Sequence, residues 1–538
     1  MAIKIIFDIL RFSERGYNIL EVTMKNLSAW SLDEKIGQLL MVGFNGTHLS
    51  SEIIELISEK KIGSVILFSR NIRSEGQIKS LTSAIQNIAQ DSCHYHPILI
   101  ATDQENGVVS RLQHLTPLPG NMALGAVNDL NITRKVSLAT ANALRQVGIN
   151  MNLAPVLDVN NNPSNPVIGT RSFGENSNHV AKHGIAFLKG HQAEKVYVSA
   201  KHFPGHGNTS TDSHIELPVV SNSLEELKQI ELRPFMEVIK NNVDSIMVNH
   251  VHYSSLDDSV TPASLSKNIV YRLLRNELGF EGVILTDCLE MNAISESVGV
   301  GGGAVKALQA GADMIMVSHT YEAQLEAISS IKQAVQKGTI TIEQINRSVN
   351  RIFRLKSKYS DIKTTIKINN EELSRLSYSK AISVVHHSGI LPIKENEKIS
   401  VIWVSDNSYT KAEDNQVKQL SVKAFIKNDI FCEHVVENTT PVKELEQVTN
   451  EAIKSEYILL LFNANAVSDS IQSMVNIFLQ KNRKLIVFAL RSPYILSDFS
   501  SQVTKLAVYD FNQNAIQAAL NIVAGKTKPT GVTPVTIK

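Results

Sequence analysis

The chain has 538 residues, of which 43% are hydrophobic and 20% are charged. This length rules out a single small binding module and the composition argues against a disordered chain, so we expect two or three domains with substantial cores. The 53 basic and 52 acidic residues leave a formal net charge of +1, which provides no long-range attraction for nucleic acid or an anionic membrane.

Residues 1–29 form a predicted N-terminal extension. Charged residues from Lys4 to Arg15 interrupt it, so it lacks the apolar region of a signal peptide, and no apolar run reaches the roughly 20 residues that span a bilayer. A misassigned start before Met24 is one hypothesis. The cysteines are few, far apart and outside any CxxC pair: Cys93, Cys288 and Cys432. We therefore expect a soluble, cytoplasmic protein in a reducing compartment.

From residue 30 onward, short apolar runs alternate with longer helical patterns, which is typical of βα units and a parallel sheet. Eight such repeats over residues 30–356 predict an α/β catalytic domain, a (β/α)8 barrel of the TIM type, although a doubly wound open sheet uses the same alternation. The predicted strands are 38–44, 64–68, 98–101, 149–156, 196–200, 244–249, 282–286 and 313–317. The predicted helices include 76–90, 131–146, 178–189, 223–240, 264–278 and 321–336.

Polar and titratable residues directly follow most of these strands. In a barrel, the carboxyl ends of the strands form one rim, where side chains from distant sequence positions converge. The competing interpretation is that strands simply end where polar residues begin. The residues concerned are Asp103, Asp158, Lys201, His202, His250, Asp287 and His319.

Residues 357–376 form a charged, polar stretch that we interpret as a linker, and residues 377–538 again alternate strands with helices. This pattern predicts a smaller C-terminal α/β domain built as an αβα sandwich. Its predicted strands are 399–404, 457–462, 485–490 and 506–509, and its predicted helices are 468–480 and 513–524. Few titratable groups collect at its strand ends, so we assign it a structural or docking role.

The most informative segment is 200–218, which reads AKHFPGHGNTSTDSHIELP. Asp212 lies two residues before His214, so its carboxylate can bind one imidazole nitrogen and leave the other nitrogen to exchange protons. The alternative is a simple Asx turn with an exposed histidine.

Further candidates come from other strand ends. Asp287 follows an apolar strand directly, and such rigid support suits a nucleophile, although a helix N-cap is the competing role. Asp103, Arg111 and Arg171 would complete a polar pocket, because a carboxylate beside cationic donors can bind vicinal hydroxyl groups. The alternative for each arginine is a surface salt bridge.

Neither a cofactor nor a metal is expected. No phosphate-binding glycine motif follows a strand, and the glycine run at 301–303 fits no such pattern. His250 and His252 could instead serve a metal-dependent barrel hydrolase, an alternative from a different class of enzyme. However, Lys201 would place a positive charge near the ion, and the segment CHYH at 93–96 precedes the third strand, at the opposite end of the barrel.

In four motifs the chain resembles the family 3 glycoside hydrolases, and most closely their bacterial β-N-acetylglucosaminidase branch. The motifs are DQENGVVSRL, APVLDVNNNPSNPVIGTRSFG, KHFPGHG followed by TDSH, and LRNELGFEGVILTDCLEM. The resemblance covers roughly residues 30–355, and the second domain resembles the C-terminal sandwich of the two-domain members. The chain departs from many members at 106–108, where it has Asn-Gly-Val instead of a second glycine and an arginine.

The resemblance implies roles for individual residues. Asp287 would be the nucleophile, and His214, oriented by Asp212, would be the acid and base. Five further residues match positions that contact the sugar: Asp103, Arg111, Arg171, Lys201 and His202.

The implied activity is that of a retaining exo-β-N-acetylglucosaminidase acting on cell-wall muropeptides or short chitin-type oligosaccharides. A β-glucosidase or a β-xylosidase is an alternative of the same fold. Phosphorolysis of N-acetylglucosaminides is a further alternative, because a neutral histidine base does not repel a phosphate anion. The expected partner is a small carbohydrate, and the sequence leaves the oligomeric state open.

Overall fold

A computed structural model describes residues 27–538 except 28, 210, 212–216, 360–367, 407–420 and 426–429. In the described residues, eight parallel strands close into a barrel, because the first strand pairs with both the second and the last. This closure confirms the (β/α)8 prediction and excludes the open sheet. In chain order the strands of this half are β1 Leu40–Val42, β2 Ser64–Leu67, β3 Leu99–Thr102, β4 Gln104–Asn106, β5 Val109–Ser110, β6 Met151–Asn152, β7 Tyr197–Phe203, β8 Val219–Val220, β9 Ser245–Val248, β10 His252–Tyr253, β11 Val283–Cys288 and β12 Met314–Val317.

The barrel strands are β1, β2, β3, β6, β7, β9, β11 and β12. Their side chains are buried on both faces, as Leu40, Met41 and Val42 of β1 illustrate, each with none of its surface exposed. One face fills the barrel interior and the other packs against the surrounding helices, which explains the continuous apolar runs in the sequence. The remaining short strands pair as β4 with β5 and β8 with β10.

Helices surround the barrel. The predicted helix 223–240 is divided in two, because Pro234 lacks an N–H and its ring clashes with the carbonyl four residues earlier, at Ile230. The predicted helix 264–278 corresponds to a π-helical segment, Asn268–Glu277. The α-helices of this half are Leu32–Gln38, Ser51–Ser58, Glu75–Asp91, Asn121–Val127, Leu130–Gln146, Ser177–Ala193, Leu224–Gln229, Leu232–Lys240, Asn292–Ser295, Gly299–Ala310, Tyr321–Gln336 and Ile342–Ser357.

The C-terminal half contains a six-stranded sheet between two layers of helices. Alternate strand residues enter two separate hydrophobic cores, with Ile402 and Leu460 on one face and Val401 and Leu459 on the other. The strands are β13 Ser383–His386, β14 Ile399–Ser405, β15 Ile430–Glu437, β16 Tyr457–Asn463, β17 Lys484–Ala489 and β18 Thr504–Ala507, in the sheet order β13-β18-β17-β16-β14-β15. The helices are Asn370–Ala381, Val442–Ala452, Asp469–Gln480 and Gln513–Val523. The predicted C-terminal sandwich is thereby confirmed.

The two halves share apolar and polar contacts. Met122 and Ala126, from a barrel helix, belong to one of the hydrophobic cores of the C-terminal sheet. The backbone N–H of Val532 donates to the carbonyl of Ala126 at 3.0 Å. The predicted boundary between residues 376 and 377 falls inside the helix Asn370–Ala381, and the domain boundaries stay a prediction.

None of the helices in the described part of the chain combines the length and the hydropathy that are needed to cross a bilayer.

Candidate active site

The sequence-predicted residues lie where barrel strands end. Asp103 directly follows β3, Lys201 and His202 are at the carboxyl end of β7, and Asp287 is at the carboxyl end of β11. Arg171 comes from the long connection between β6 and the helix Ser177–Ala193. The barrel therefore brings side chains from distant sequence positions to one rim.

Glu105 links two of these groups, Arg171 and Lys201. Its carboxylate accepts two hydrogen bonds from the Arg171 guanidinium, at 2.9 Å from Nε and 2.8 Å from Nη2. The Lys201 ammonium lies 2.8 Å from the same carboxylate and donates to Asp103 at 2.7 Å. Arg111 lies 3.8 Å from the other Asp103 oxygen. All five side chains are buried or nearly so, and we call this group the rim charge cluster.

Pairing within the rim charge cluster stabilises its ionised forms. Burial raises the pKa of Glu105, but the charges of Arg171 and Lys201 outweigh burial and hold that pKa well below its usual range. Burial lowers the pKa of Lys201, but Asp103 and Glu105 outweigh it, and the pKa is raised. Glu105 is therefore a carboxylate and Lys201 is an ammonium at neutral pH.

His202 is oriented by Asp158, which has no exposed surface. The His202 Nδ1 lies 2.7 Å from Asp158 Oδ2, and a carboxylate can only accept, so Nδ1 carries the proton. The Nε2 atom is then the acceptor of the ring and lies 3.4 Å from Arg171 Nη2. Burial raises the pKa of Asp158, but His202 and His206 outweigh it, so that the pKa is lowered.

The hairpin of β4 and β5 carries Glu105 and leads directly into Arg111. The Gln104 side-chain oxygen accepts the backbone N–H groups of Arg111 and Leu112 at 2.9 and 3.1 Å. Asn106 and Gly107 have φ values of 66° and 60° and form the turn. The Asn106 amide donates to Thr140 Oγ1 on a barrel helix at 2.9 Å. The departure from the family pattern at 106–108 therefore lies at this turn.

Asp287 occupies a rigid strand end. The backbone N–H of Cys288 donates to Asp287 Oδ1 at 2.7 Å, which helps to fix the orientation of the carboxyl group. The backbone carbonyl of Cys288 lies 3.0 Å from His250 Nε2, and the His250 Nδ1 atom lies 2.7 Å from Ser264 Oγ. His250 is thus bound to the protein through both ring nitrogens, beside the strand that carries Asp287.

Asp212 and His214 lie outside the described residues, so their predicted pairing stays a prediction. The segment before them is anchored near His202. The backbone N–H of His206 donates to Asp158 at 2.7 Å, and its ring Nδ1 lies 2.9 Å from Thr209 Oγ1. Burial lowers the pKa of His206 to about 4, which keeps the ring neutral at physiological pH.

Two carboxylates, Glu105 and Asp158, were not among the sequence-predicted site residues. Glu105 is two residues after Asp103 in the DQE motif. This spacing is the feature of the sequence that could have identified Glu105 as a site residue. Asp158 was recognised only as a residue that follows a strand. Burial beside specific cations and imidazoles distinguishes both carboxylates from surface acids, and that burial depends on tertiary structure.

Carboxylates and cations collect at the carboxyl ends of the strands of this closed barrel. Barrel enzymes have their active sites at this end, and charged side chains there suit a polar substrate. Residues 31–355 match the family model described as the glycosyl hydrolase family 3 N terminal domain. The chain therefore belongs to glycoside hydrolase family 3 and is a glycoside hydrolase.

Similar proteins cover both halves of the chain. A curated relative named beta-hexosaminidase A, from Pseudoalteromonas piscicida, is 30% identical over 559 residues, covering 91% of this chain and 92% of the relative. A solved structure of a glycoside hydrolase family 3 beta-N-acetylglucosaminidase from Paenibacillus sp. str. FPU-7 is 34% identical, with a TM-score of 0.88 over 95% of this chain and 99% of that one. A beta-hexosaminidase of Nitrosomonas eutropha is 31% identical over 350 residues, covering 63% of this chain and 98% of that protein.

Replacing Glu105 with Gln is expected to lower the free energy of unfolding at pH 7 by about 3 kcal/mol, because Lys201 and Arg171 would lose a buried counter-charge. The folded pKa of Glu105 lies below its unfolded value of about 4.3. Its contribution is therefore complete above the unfolded pKa and is lost as the pH falls through the folded pKa. Urea unfolding at pH 7 and at lower pH should show the difference between the two proteins becoming smaller on acidification.

The control for this prediction is Glu75→Gln, the same substitution in an exposed pair with Lys79. It should leave the unfolding midpoint unchanged. Equal stability of wild type and Glu105→Gln at pH 7 would contradict the role assigned to Glu105.

Proposed function

We propose that this protein is a retaining, exo-acting β-N-acetylhexosaminidase that releases terminal β-linked N-acetylglucosamine. The observation that carries the proposal is the likeness to the Paenibacillus β-N-acetylglucosaminidase across both halves of the chain. The beta-hexosaminidase names of the curated relatives support the same substrate class.

The rim charge cluster supports a role in holding the terminal sugar. Asp103 would accept hydrogen bonds from sugar hydroxyl groups, while Lys201, Arg111 and Arg171 would donate to hydroxyl oxygens. His202, whose ring is fixed by Asp158, would line the sugar pocket beside Arg171. Because these groups already pair with one another, they are positioned before the sugar arrives, which lowers the entropy that binding costs.

Asp287 would be the nucleophile. Its carboxylate would attack the anomeric carbon while the bond to the leaving oxygen breaks, forming a covalent glycosyl–enzyme intermediate. The hydrogen bond from the Cys288 N–H supports a fixed orientation of the carboxyl group, and attachment to a barrel strand supports a fixed distance to the sugar.

His214 would act as the acid and base, oriented by Asp212. In the first step His214 would protonate the leaving oxygen, and in the second it would take a proton from water, which then attacks the intermediate. The two steps each invert the anomeric carbon, so the β configuration is retained. The pairing of Asp212 with His214 is a prediction from the sequence.

We extend the proposal to the natural substrate and to the cellular location of the reaction. Muropeptides and short chitin-type oligosaccharides would be the substrates, as part of peptidoglycan turnover or chitin-sugar use in the cytoplasm. Incubation of the purified protein with both kinds of oligosaccharide distinguishes them by the rate of N-acetylglucosamine release.

Among aryl glycosides, the protein should hydrolyse the β-N-acetylglucosaminide faster than the β-glucoside and the β-xyloside.

Asp287→Ala should lower kcat on the preferred substrate by about 10⁴-fold or more, because the nucleophile is lost. Added azide should then restore turnover and yield an α-configured glycosyl azide, since azide can occupy the space of the missing carboxylate. Steady-state kinetics and NMR of the product measure both effects.

Asp91→Ala is the matched control for that substitution, because Asp91 is exposed at the end of a helix, and its kinetics should equal those of wild type. Undiminished activity in Asp287→Ala would remove Asp287 as the nucleophile. A preference for the glucoside or xyloside would replace the substrate assignment. Recovery of sugar 1-phosphate in phosphate buffer would favour phosphorolysis over hydrolysis.

His214→Ala should have an effect that depends on the leaving group. For a poor leaving group, kcat/KM should fall by about 10²–10⁴-fold, because that oxygen needs a proton to depart. For a dinitrophenyl leaving group, the fall should be much smaller. A series of aryl N-acetylglucosaminides of different phenol pKa measures this dependence.

The control for the acid is His387→Ala, which changes an exposed histidine of the C-terminal half and should have no effect on any substrate. A loss in His214→Ala that is equal for good and poor leaving groups would contradict the role of His214 as the acid.

A further inference from the structure

The C-terminal half holds a group of three metal-ligand side chains at the edge of its sheet. The sulfur of Cys432, a ring nitrogen of His434 and a carboxylate oxygen of Glu451 all lie within 4.8 Å of one another. In the part of the chain that the structure describes, this is the one group of three or more such residues that is close enough to hold an ion.

The local fold explains why these residues meet. Cys432 and His434 are two positions apart on β15, so they face the same side of the sheet. That side is covered by the helix Val442–Ala452, whose last turn carries Glu451. Because the backbones of a strand and a helix hold the three side chains, the group is positioned by regular secondary structure.

Without an ion, one of the three ligand atoms lacks a hydrogen-bond partner and a second lies in an unfavourable electrostatic position. The buried His434 Nε2 lies 3.2 Å from Glu451 Oε2, but the contact does not have hydrogen-bond geometry, and among the described residues this nitrogen has no hydrogen-bond partner. Glu451 is near the carboxyl end of its helix, where the helix dipole disfavours a carboxylate and favours a cation.

We propose that Cys432, His434 and Glu451 bind a zinc ion that fastens the edge strand β15 to the helix Val442–Ala452. One thiolate, one imidazole and one carboxylate are ligands that zinc prefers, and a water molecule would supply the fourth position. Tetrahedral bonds of about 2.0–2.3 Å keep donors roughly 3.5 Å apart, so the 3.2 Å spacing of His434 and Glu451 already suits an ion.

The surroundings are consistent with an ion that enters from solvent. The His434 and Glu451 side chains are 25% and 41% exposed, whereas Cys432 is 8% exposed. Lys454 is a cation of the same region. Its Nζ lies 5.9 Å from the centre of the Phe431 ring, and its charge also acts on Cys432.

Binding would exchange a proton for the ion. Burial raises the pKa of the Cys432 thiol, so the free protein carries S–H at neutral pH. When the zinc–sulfur bond forms, the S–H bond breaks and its proton passes to solvent. The competing interpretation is that Cys432 is a core residue, whose thiol donates to Ser400 Oγ at 3.2 Å.

Cobalt(II) titration of the reduced, full-length protein tests the proposal, because a cobalt–thiolate bond gives a charge-transfer band in the near ultraviolet. Wild type should bind one equivalent with this band, and Cys432→Ser should lose the band. His434→Ala and Glu451→Gln should weaken binding roughly tenfold or more. Zinc should raise the unfolding temperature of wild type but not of Cys432→Ser.

Cys93→Ser is the matched control, because Cys93 is exposed and is followed by His94 and His96. It should keep the cobalt band, and turnover of the aryl N-acetylglucosaminide should show that each variant is folded. The proposal is overturned if wild type shows no thiolate band, if the band survives in Cys432→Ser, or if His434→Ala binds cobalt as wild type does.

Discussion

The site depends on the buried contact of Glu105 with Arg171 and Lys201. Ionised side chains are costly to bury, and they remain buried only when each has a close partner of opposite charge. Glu105 forms ion pairs with two cations from different parts of the barrel, and Lys201 also forms an ion pair with Asp103. With Asp158 included, three acidic side chains lie beside the three basic side chains of the rim charge cluster.

The C-terminal half supports this site by holding the loop that carries Asp158 and Arg171. The Asn160 amide donates to the hydroxyl of Tyr494 at 2.8 Å, and the Glu175 carboxylate accepts the backbone N–H of Thr536 at 2.9 Å. Tyr494 and Thr536 both belong to the C-terminal half. These contacts lie at the two ends of the loop, so the second half helps to fix the position of Arg171. A structural role for this half was the expectation from its sequence.

The sequence predicted the barrel well because its strands are buried on both faces and appear as uninterrupted apolar runs. It did not predict β13 and β15, which are the two edge strands of the C-terminal sheet. An edge strand has one neighbour and remains partly exposed, so polar residues such as Glu433 interrupt the apolar pattern.

For the site, the sequence identified the residues that the rim charge cluster brings together, except Glu105. Spacing can show that a carboxylate follows a strand, but it cannot show that two cations from distant positions pack against it. Asp158 was recognised at a strand end, but its contacts with His202 and His206 could not be predicted for the same reason. The catalytic roles of Asp287, His214 and Asp212 stay predictions, and the metal-ligand group of Cys432 escaped notice because Glu451 is 17 residues from His434.

The most direct test of the proposed mechanism is to trap its covalent intermediate. An activated fluoro analogue of N-acetylglucosamine should react once with the enzyme and slow the second step enough for mass spectrometry of the digested protein. The mechanism predicts one sugar adduct per chain, on the peptide that contains Asp287. An adduct on a different carboxylate, or no adduct together with inversion of the anomeric carbon, would contradict it.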